Sequence, residues 1–178
     1  MASVFSHGFA AFCFSKIGFR SKLDNNIIIA GIGLSILPDI DTVGFLFGVP
    51  YESFLGHRGF THSIFFAIIV SLGVAILFRS DTRFIDDLFI YFFLCTVSHS
   101  LLDAMTTGGM GIALFSPFEQ TRYFFNFRPI LVSPIGISNF FSSWGLAVLI
   151  SEAKFIGIIG ILVIASGSII KKLRDKYA

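Results

Sequence analysis

Apolar runs of bilayer-crossing length recur along this chain, and that recurrence restricts its fold more than any other feature. Ser3 to Phe19, Ile27 to Leu37, Phe60 to Phe78, Phe84 to Met105, Ile135 to Ile150 and Phe155 to Ile170 are all apolar, with polar turns between them. Most hold roughly 16 to 20 residues, about what a helix needs to cross a hydrocarbon core. Composition points the same way: 54% of the 178 residues are hydrophobic and 24 are Phe. An ordinary soluble domain is less apolar. We expect an all-α fold, a multi-pass transmembrane helical bundle of about five or six apolar helices. Residues 1–178 make a single membrane-embedded domain on this reading.

The punctuation between these runs places the turns. Lys16, Arg20, Lys22 and Asp24 mark one polar turn, and Arg79, Asp81, Arg83, Asp86 and Asp87 another. Asn25 or Asn26 is the expected cap of the second helix. Pro38 disfavours helical geometry at Leu37 and is expected to break or kink that helix. Thr42 to Gly56 reads as a re-entrant or interfacial piece, and Thr106 to Pro134 as a long connection. Glu152 and Lys154 separate the last two apolar segments, and KKLRDKYA is a solvated basic end. Gly157, Gly160 and Gly167 offer a surface for close helix packing. A net charge of +2 leaves no broad basic face for nucleic acid. Cys13 and Cys95 lie in apolar runs far from CxxC spacing, which argues against a disulfide or a thiolate zinc site. The first residues lack the basic region of a cleavable signal peptide. There is no GxSxG and no Walker-type loop, so serine hydrolysis and ATP use are set aside.

Against this background the ionisable residues stand out, because charge inside membrane-grade sequence is expensive and marks function by default. The chain reads LPDID from Leu37 to Asp41, HRGFTHS from His57 to Ser63 and SHSLLD from Ser98 to Asp103. Tracing the helices back and forth brings His7, Asp39, Asp41, His57, His62, His99 and Asp103 to one membrane face. His99 and Asp103 are spaced i, i+4 and share a helix face. Asp39 and Asp41 point the same way in an extended segment and different ways in a helix. Each residue alone has a bland reading: a capping aspartate, an interfacial histidine, a His–Asp hydrogen bond. Their convergence favours a divalent metal, one or two ions. Imidazole with carboxylate and no thiol suits zinc foremost, with manganese or iron as alternatives.

We read His7, Asp41, His62, His99 and Asp103 as metal ligands. Asp39, His57 and Arg58 are read as catalytic or orienting groups, with the choice within Asp39/Asp41 and within His57/His62 left open. Arg58, Arg122 and Arg128 are expected to contact an anionic headgroup, since guanidinium suits phosphate; aromatic-flanked Arg is also a common interfacial anchor.

The combination of His7, LPDID, HRGFTHS, SHSLLD and the loop ending VSPIG at Val132 to Gly136 resembles the YdjM-like family of membrane-bound metal-dependent hydrolases. The likeness covers most of the chain. It implies a multi-pass bacterial inner-membrane protein with hydrolase activity. A more distant likeness is to zinc-dependent phospholipase C and related single-strand nucleases. Their ligand order would be matched by His7, Asp41 or Asp39, His62 or His57, then His99 and Asp103. That likeness implies one metal at His7, another at His99, and Asp103 bridging them. Those enzymes carry further downstream His and Glu ligands, whereas this chain has no His after His99. The expected function is metal-activated water cleaving a phosphoester of a membrane lipid or another anionic membrane substrate. The alternative is a metal-binding transporter or regulatory protein without hydrolase activity. The Arg and Lys distribution leans towards a site outside the cytoplasm, with the basic tail placed on the site face and opposing that lean.

Overall fold

A computed structural model describes residues 1–20, 23–81, 84–134 and 137–177. It is all-helical, and among the described residues it contains no strand, only two isolated bridges. Helix α1 spans Val4–Phe14, α2 Asn25–Ile36, α3 Ile64–Leu77 and α4 Ile85–Ala104. After a long loop come the one-turn α5 at Ile137–Phe140, α6 at Ser143–Glu152 and α7 at Ile158–Tyr177. Lys22, Arg83, Ile135 and Gly136 lie outside the described residues, and with them part of two polar turns and the end of the VSPIG motif.

Side-chain oxygens set the helix starts. Ser3, Asp24, Ser63 and Ser142 each accept a backbone N–H from the first turn of α1, α2, α3 and α6. The cap of α2 is therefore Asp24 rather than Asn25 or Asn26. The α-helix ends at Ile36, where Pro38 leads one to expect it, but the helical course does not stop. Pro38 sits in the first turn of a 3-10 helix, Leu37–Phe47, that continues directly from α2. Pro38 has no N–H to give the Leu34 carbonyl, and the helix tightens from α to 3-10 geometry at this point. Gly48, at φ 72°, ends the run in the left-handed region. The piece read as re-entrant is thus partly a tightened extension of the second span.

The last two apolar segments are also continuous. A π-helical turn at Ala153–Gly157 joins α6 to α7, and Ser143–Lys176 runs as 34 apolar-rich helical residues. At 1.5 Å per residue that is about 51 Å, more than one crossing requires. Glu152 does not mark a turn at the membrane surface. It is buried and accepts from Ser3 N–H at 2.5 Å and Ser3 Oγ at 2.6 Å, fastening this helix to the start of α1. Three helices are long and apolar enough to cross a membrane, Asn25–Phe47, Ile85–Ala104 and Ser143–Lys176; Val4–Phe14 and Ile64–Leu77 are shorter apolar helices beside them. These make a five-helix bundle.

Neighbours are chosen by shape, because lipid tails are as apolar as leucine. Beneath the end that gathers the buried His and Asp residues, Ala11, Ile27, Leu34, Ala75, Leu88, Tyr91, Phe92 and Cys95 form a core cluster. A Cβ on Gly160 would overlap the Phe9 ring and one on Gly167 the Lys16 carbonyl, so these two glycines let the last helix lie against α1. Gly157 has nothing near it. The outward faces stay apolar: Ile68, Ile69, Leu72 and Ile76 on α3, and Ile161, Leu162 and Ile169 on α7, are exposed. In water such a belt is an interaction surface, and around a five-helix bundle it meets lipid.

Candidate metal centre

Four elements deliver the polar residues to one end of the bundle. α1 brings His7 in its first turn, the 3-10 helix after α2 brings Asp39 and Asp41, the short 3-10 turn Phe60–His62 brings His62, and the last turns of α4 bring His99 and Asp103. All are buried or nearly so; the Asp39 side chain, at 10% exposure, is the most open and marks the mouth of the cluster.

Asp39 and Asp41 share a turn of three residues, so two positions apart means about 240° of rotation and different neighbours. Asp39 Oδ1 lies 3.4 Å from His99 Nε2 and 3.6 Å from His62 Nε2. The two Nε2 atoms are 3.1 Å apart. Ligands on a tetrahedral zinc at bond lengths of 2.0–2.1 Å stand about 3.3–3.4 Å from one another. The observed spacings match that edge. Asp103 completes the group: one donor atom from each of Asp39, His62, His99 and Asp103 lies within 4.8 Å of all the others. Both oxygens of Asp39 are buried without a hydrogen-bond partner. Buried polar atoms left unpaired are costly, and an absent ion is a standard cause.

Asp41 is arranged the opposite way. Its Oδ1 takes His57 Nδ1 at 2.7 Å, and its Oδ2 takes Arg58 N–H at 3.0 Å, Thr61 Oγ1–H at 2.7 Å and His62 Nδ1 at 3.1 Å. A carboxylate only accepts, so His62 carries its proton on Nδ1 and turns Nε2 towards Asp39. On α4, His99 Nδ1 donates to the Ser35 carbonyl at 2.8 Å, which likewise turns its Nε2 inward. Asp41, His57 and His62 also form a second group of potential donors. His62 lies outside the spans. Burial alone would lower its pKa, but the carboxylates of Asp39 and Asp41 beside it outweigh burial and push it up to about 9.

His7 sits against the other side. Its ring stacks on His99 at 3.9 Å between centroids, Nε2 is 3.5 Å from Asp103 Oδ1, and neither ring nitrogen has a hydrogen-bond partner. Asp103 Oδ1 also accepts the Ala2 N–H at 2.6 Å, and its Oδ2 faces Arg58 Nε at 3.3 Å.

The three arginines fare differently. Arg58 is fully buried, with Nη1 donating to the Gly108 carbonyl at 2.9 Å and Nη2 to Thr106 Oγ1 at 3.2 Å. Its backbone lies in the left-handed region at φ 64°, held by the bonds to Asp41 and to Ala113 N–H. Arg122 donates to the His57 and Tyr51 carbonyls at 2.9 and 3.0 Å. Arg128 stacks over Phe124 at 4.6 Å and stays exposed. Arg58 and Arg122 thus fasten loops over the site, and Arg128 alone of the three presents an uncommitted guanidinium face among the described residues. Several contributors carry no chemistry signal of their own. Thr61 lies inside HRGFTHS but reads as a helix-start residue, and the Ser35 and Gly108 groups are backbone carbonyls that any residue could supply.

The closing loop, residues 106–134, is tied across the site by Thr107 N–H to the Ile130 carbonyl and by Leu131 N–H to Ser151 Oγ. Together these residues form two groups that could hold a metal ion, both at one end of the bundle.

The Escherichia coli K12 protein named inner membrane protein YbcI is 36% identical over 164 residues, covering 91% of this chain and 94% of that one. No solved structure matches. Residues 1–174 match the YdjM inner membrane protein family, and the chain, a helical protein of the inner membrane, belongs to it.

Proposed function

We propose that the protein is a membrane-embedded metallohydrolase that cleaves a phosphoester of a lipid or another anionic membrane substrate. The observation that carries this reading is the buried Asp39 carboxylate, which has no hydrogen-bond partner and faces two imidazole nitrogens at 3.4 and 3.6 Å. Asp39, His62, His99 and Asp103 would hold one divalent cation, with zinc the best fit to the donor set. His7 Nε2 and Asp103 Oδ1 have the same spacing and would serve a second. A cation bound there supplies a water of lowered pKa and a clamp for a phosphoryl oxygen.

The protein's own residues hold that site in shape. Asp41, with Thr61, fixes the His62 ring, and Ser35 fixes His99. Arg58 braces Asp103 and keeps its charge compensated away from water. The reading therefore exchanges the roles first assigned to the two aspartates: Asp39 binds and Asp41 orients. His57 acts through Asp41 as an orienting group, and Arg128 is the cation left to meet a headgroup. An enzyme is favoured over a transporter by the core below the site, where Ala11, Ile27, Leu34, Ala75, Leu88 and Phe92 are apolar and the described residues offer no chain of ligands across the bilayer.

The orientation supports an outward-facing site. The continuous Ser143–Lys176 helix carries the basic tail to the end opposite the metal residues, and it leaves Lys154 near the site, two residues from Glu152. Among the described Lys and Arg, Lys16, Arg20, Arg79, Lys171, Lys172, Arg174 and Lys176 sit at the far end; Arg58, Arg122, Arg128 and Lys154 sit at the site end. Cytoplasmic ends carry the excess of Lys and Arg, so the metal centre faces the periplasm.

The test is hydrolysis of a phospholipid and phosphoester panel by detergent-purified protein, with Asp39→Asn and His99→Ala beside it. The reading requires metal-dependent turnover that both variants lose. Metal uptake into vesicles without hydrolysis would replace it with transport.

A further inference from the structure

At the end of the bundle farthest from the metal residues, a cleft of about 730 Å3 opens between the segment that follows α1 and the last turns of α7. Its wall carries four cations, Lys16, Arg20, Lys171 and Arg174, and no carboxylate. Phe12 and Ile164 form an apolar flank on the lipid-facing surface. Twelve residues of α4 separate Asp87, which pairs with Arg20 at this end, from His99 at the other, about 18 Å along the helix. The cleft is therefore separate from the metal centre.

Its four cations are not equivalent. Arg20 is held by Asp86 and Asp87, and Arg174 lies 3.6 Å from Asp175 while donating to the Gly18 and Phe19 carbonyls. These two build the wall. Lys16 lies over the Phe12 ring, and among the described residues no carboxylate reaches salt-bridge distance of Lys16 or Lys171. Both ammonium groups are exposed. The close approach of Gly167 to the Lys16 carbonyl brings their two segments together. Net positive charge thus sits on two flexible side chains, above an apolar flank, at a membrane surface. A ligand that fits has an anionic head and an apolar body.

We propose that this cleft binds the phosphate headgroup of an anionic glycerophospholipid from the leaflet opposite the metal centre, with Lys16 and Lys171 as the charge contacts. Position selects the lipid over a soluble anion: the apolar flank continues into the belt that faces acyl chains. Basic pockets between spans are a known way of holding acidic lipids. The proposal does not depend on any hydrolase activity.

The experiment uses delipidated full-length protein in mixed micelles of phosphatidylglycerol and phosphatidylcholine, with retained lipid counted by native mass spectrometry. Wild type is expected to prefer phosphatidylglycerol. Each surface lysine gives about a fivefold attraction, so Lys16→Gln with Lys171→Gln should lower the preference roughly 30-fold. Lys16→Arg with Lys171→Arg should keep it, which separates lost charge from lost fold, and Lys154→Gln should leave it unchanged. An unaltered preference in the double Gln variant overturns the proposal. So does equal loss in the double Arg variant. Displacement of phosphatidylglycerol by equimolar inorganic phosphate would assign the cleft to a soluble anion and overturn the lipid.

Discussion

Replacing each aspartate of the LPDID turn by asparagine separates binding from orientation. Asp39 offers two buried oxygens with no hydrogen-bond partner and faces His62 and His99. Asp41 spends its oxygens on His57, Arg58 N–H, Thr61 and His62. Asp41→Asn keeps the shape and one carbonyl acceptor, and it loosens the His62 ring. Changes of this kind usually cost about 10- to 100-fold in metal affinity, or about 1.4–2.8 kcal/mol. Asp39→Asn removes an anionic donor outright, so its loss should exceed that range. The assay is the metal-to-protein ratio of detergent-purified protein, followed by chelator competition with zinc, manganese and iron(II). Asp41→Asn should purify with reduced but measurable metal and recover full occupancy when metal is added in excess. Asp39→Asn should stay empty under the same conditions. If Asp41→Asn is emptied as completely, or if Asp39→Asn keeps wild-type affinity, the assignment of roles is wrong.

Further outcomes follow from the same contacts. With the His62 pKa raised to about 9 in the metal-free protein, a cation must displace its proton, so zinc affinity should rise about tenfold per pH unit and level off above pH 9; a profile flat from pH 6 to 9 would refute this. The stability that His62 lends the metal-free protein should be complete below about pH 6.5, its unfolded value, and fade as pH rises through about 9, read as a falling Tm. Gly109 has φ 92°, and a Cβ there would run into the Arg58 guanidinium; Gly109→Ala should cost about 1–3 kcal/mol and lower metal retention, measured by thermal unfolding and metal content. A cysteine replacing Lys172 should react with a membrane-impermeant maleimide only from the cytoplasmic side, and one replacing Arg128 only from the periplasmic side; the reverse pattern would turn the topology over.

Some of this architecture can be read from the residues alone, for a physical reason. Hydrophobic run length is a local property, so the all-helical bundle and the gathering of His7, His62, His99 and Asp103 at one end follow from counting crossings. What misleads is punctuation. Pro38 suggests a break, and the α-helix does end at Ile36, yet the chain runs straight on as a 3-10 helix instead of turning. Glu152 and Lys154 suggest a turn between two spans, yet Glu152 has a buried partner in Ser3, 149 residues away. A polar residue in an apolar run marks either a membrane surface or a distant partner, and the run itself does not say which. That single ambiguity moved the basic tail to the wrong face and left the orientation balanced.

The same logic explains why the two aspartates cannot be ranked from sequence. Their division of labour depends on whether the turn after Pro38 is extended or helical, because only a helical turn sends positions 39 and 41 to different neighbours. Once the turn is helical, hydrogen-bond accounting decides the rest. Asp41 accepts from His57, Arg58 N–H and Thr61, and its remaining contact, with His62 Nδ1, aims that ring. Asp39, His7 and one oxygen of Asp103 are left over, at the same end of the bundle, among imidazoles whose other nitrogens are already committed. In a medium where a buried carboxylate without a hydrogen-bond partner is so costly, leftovers arranged at ligand spacing are the part of the structure that asks for a cation.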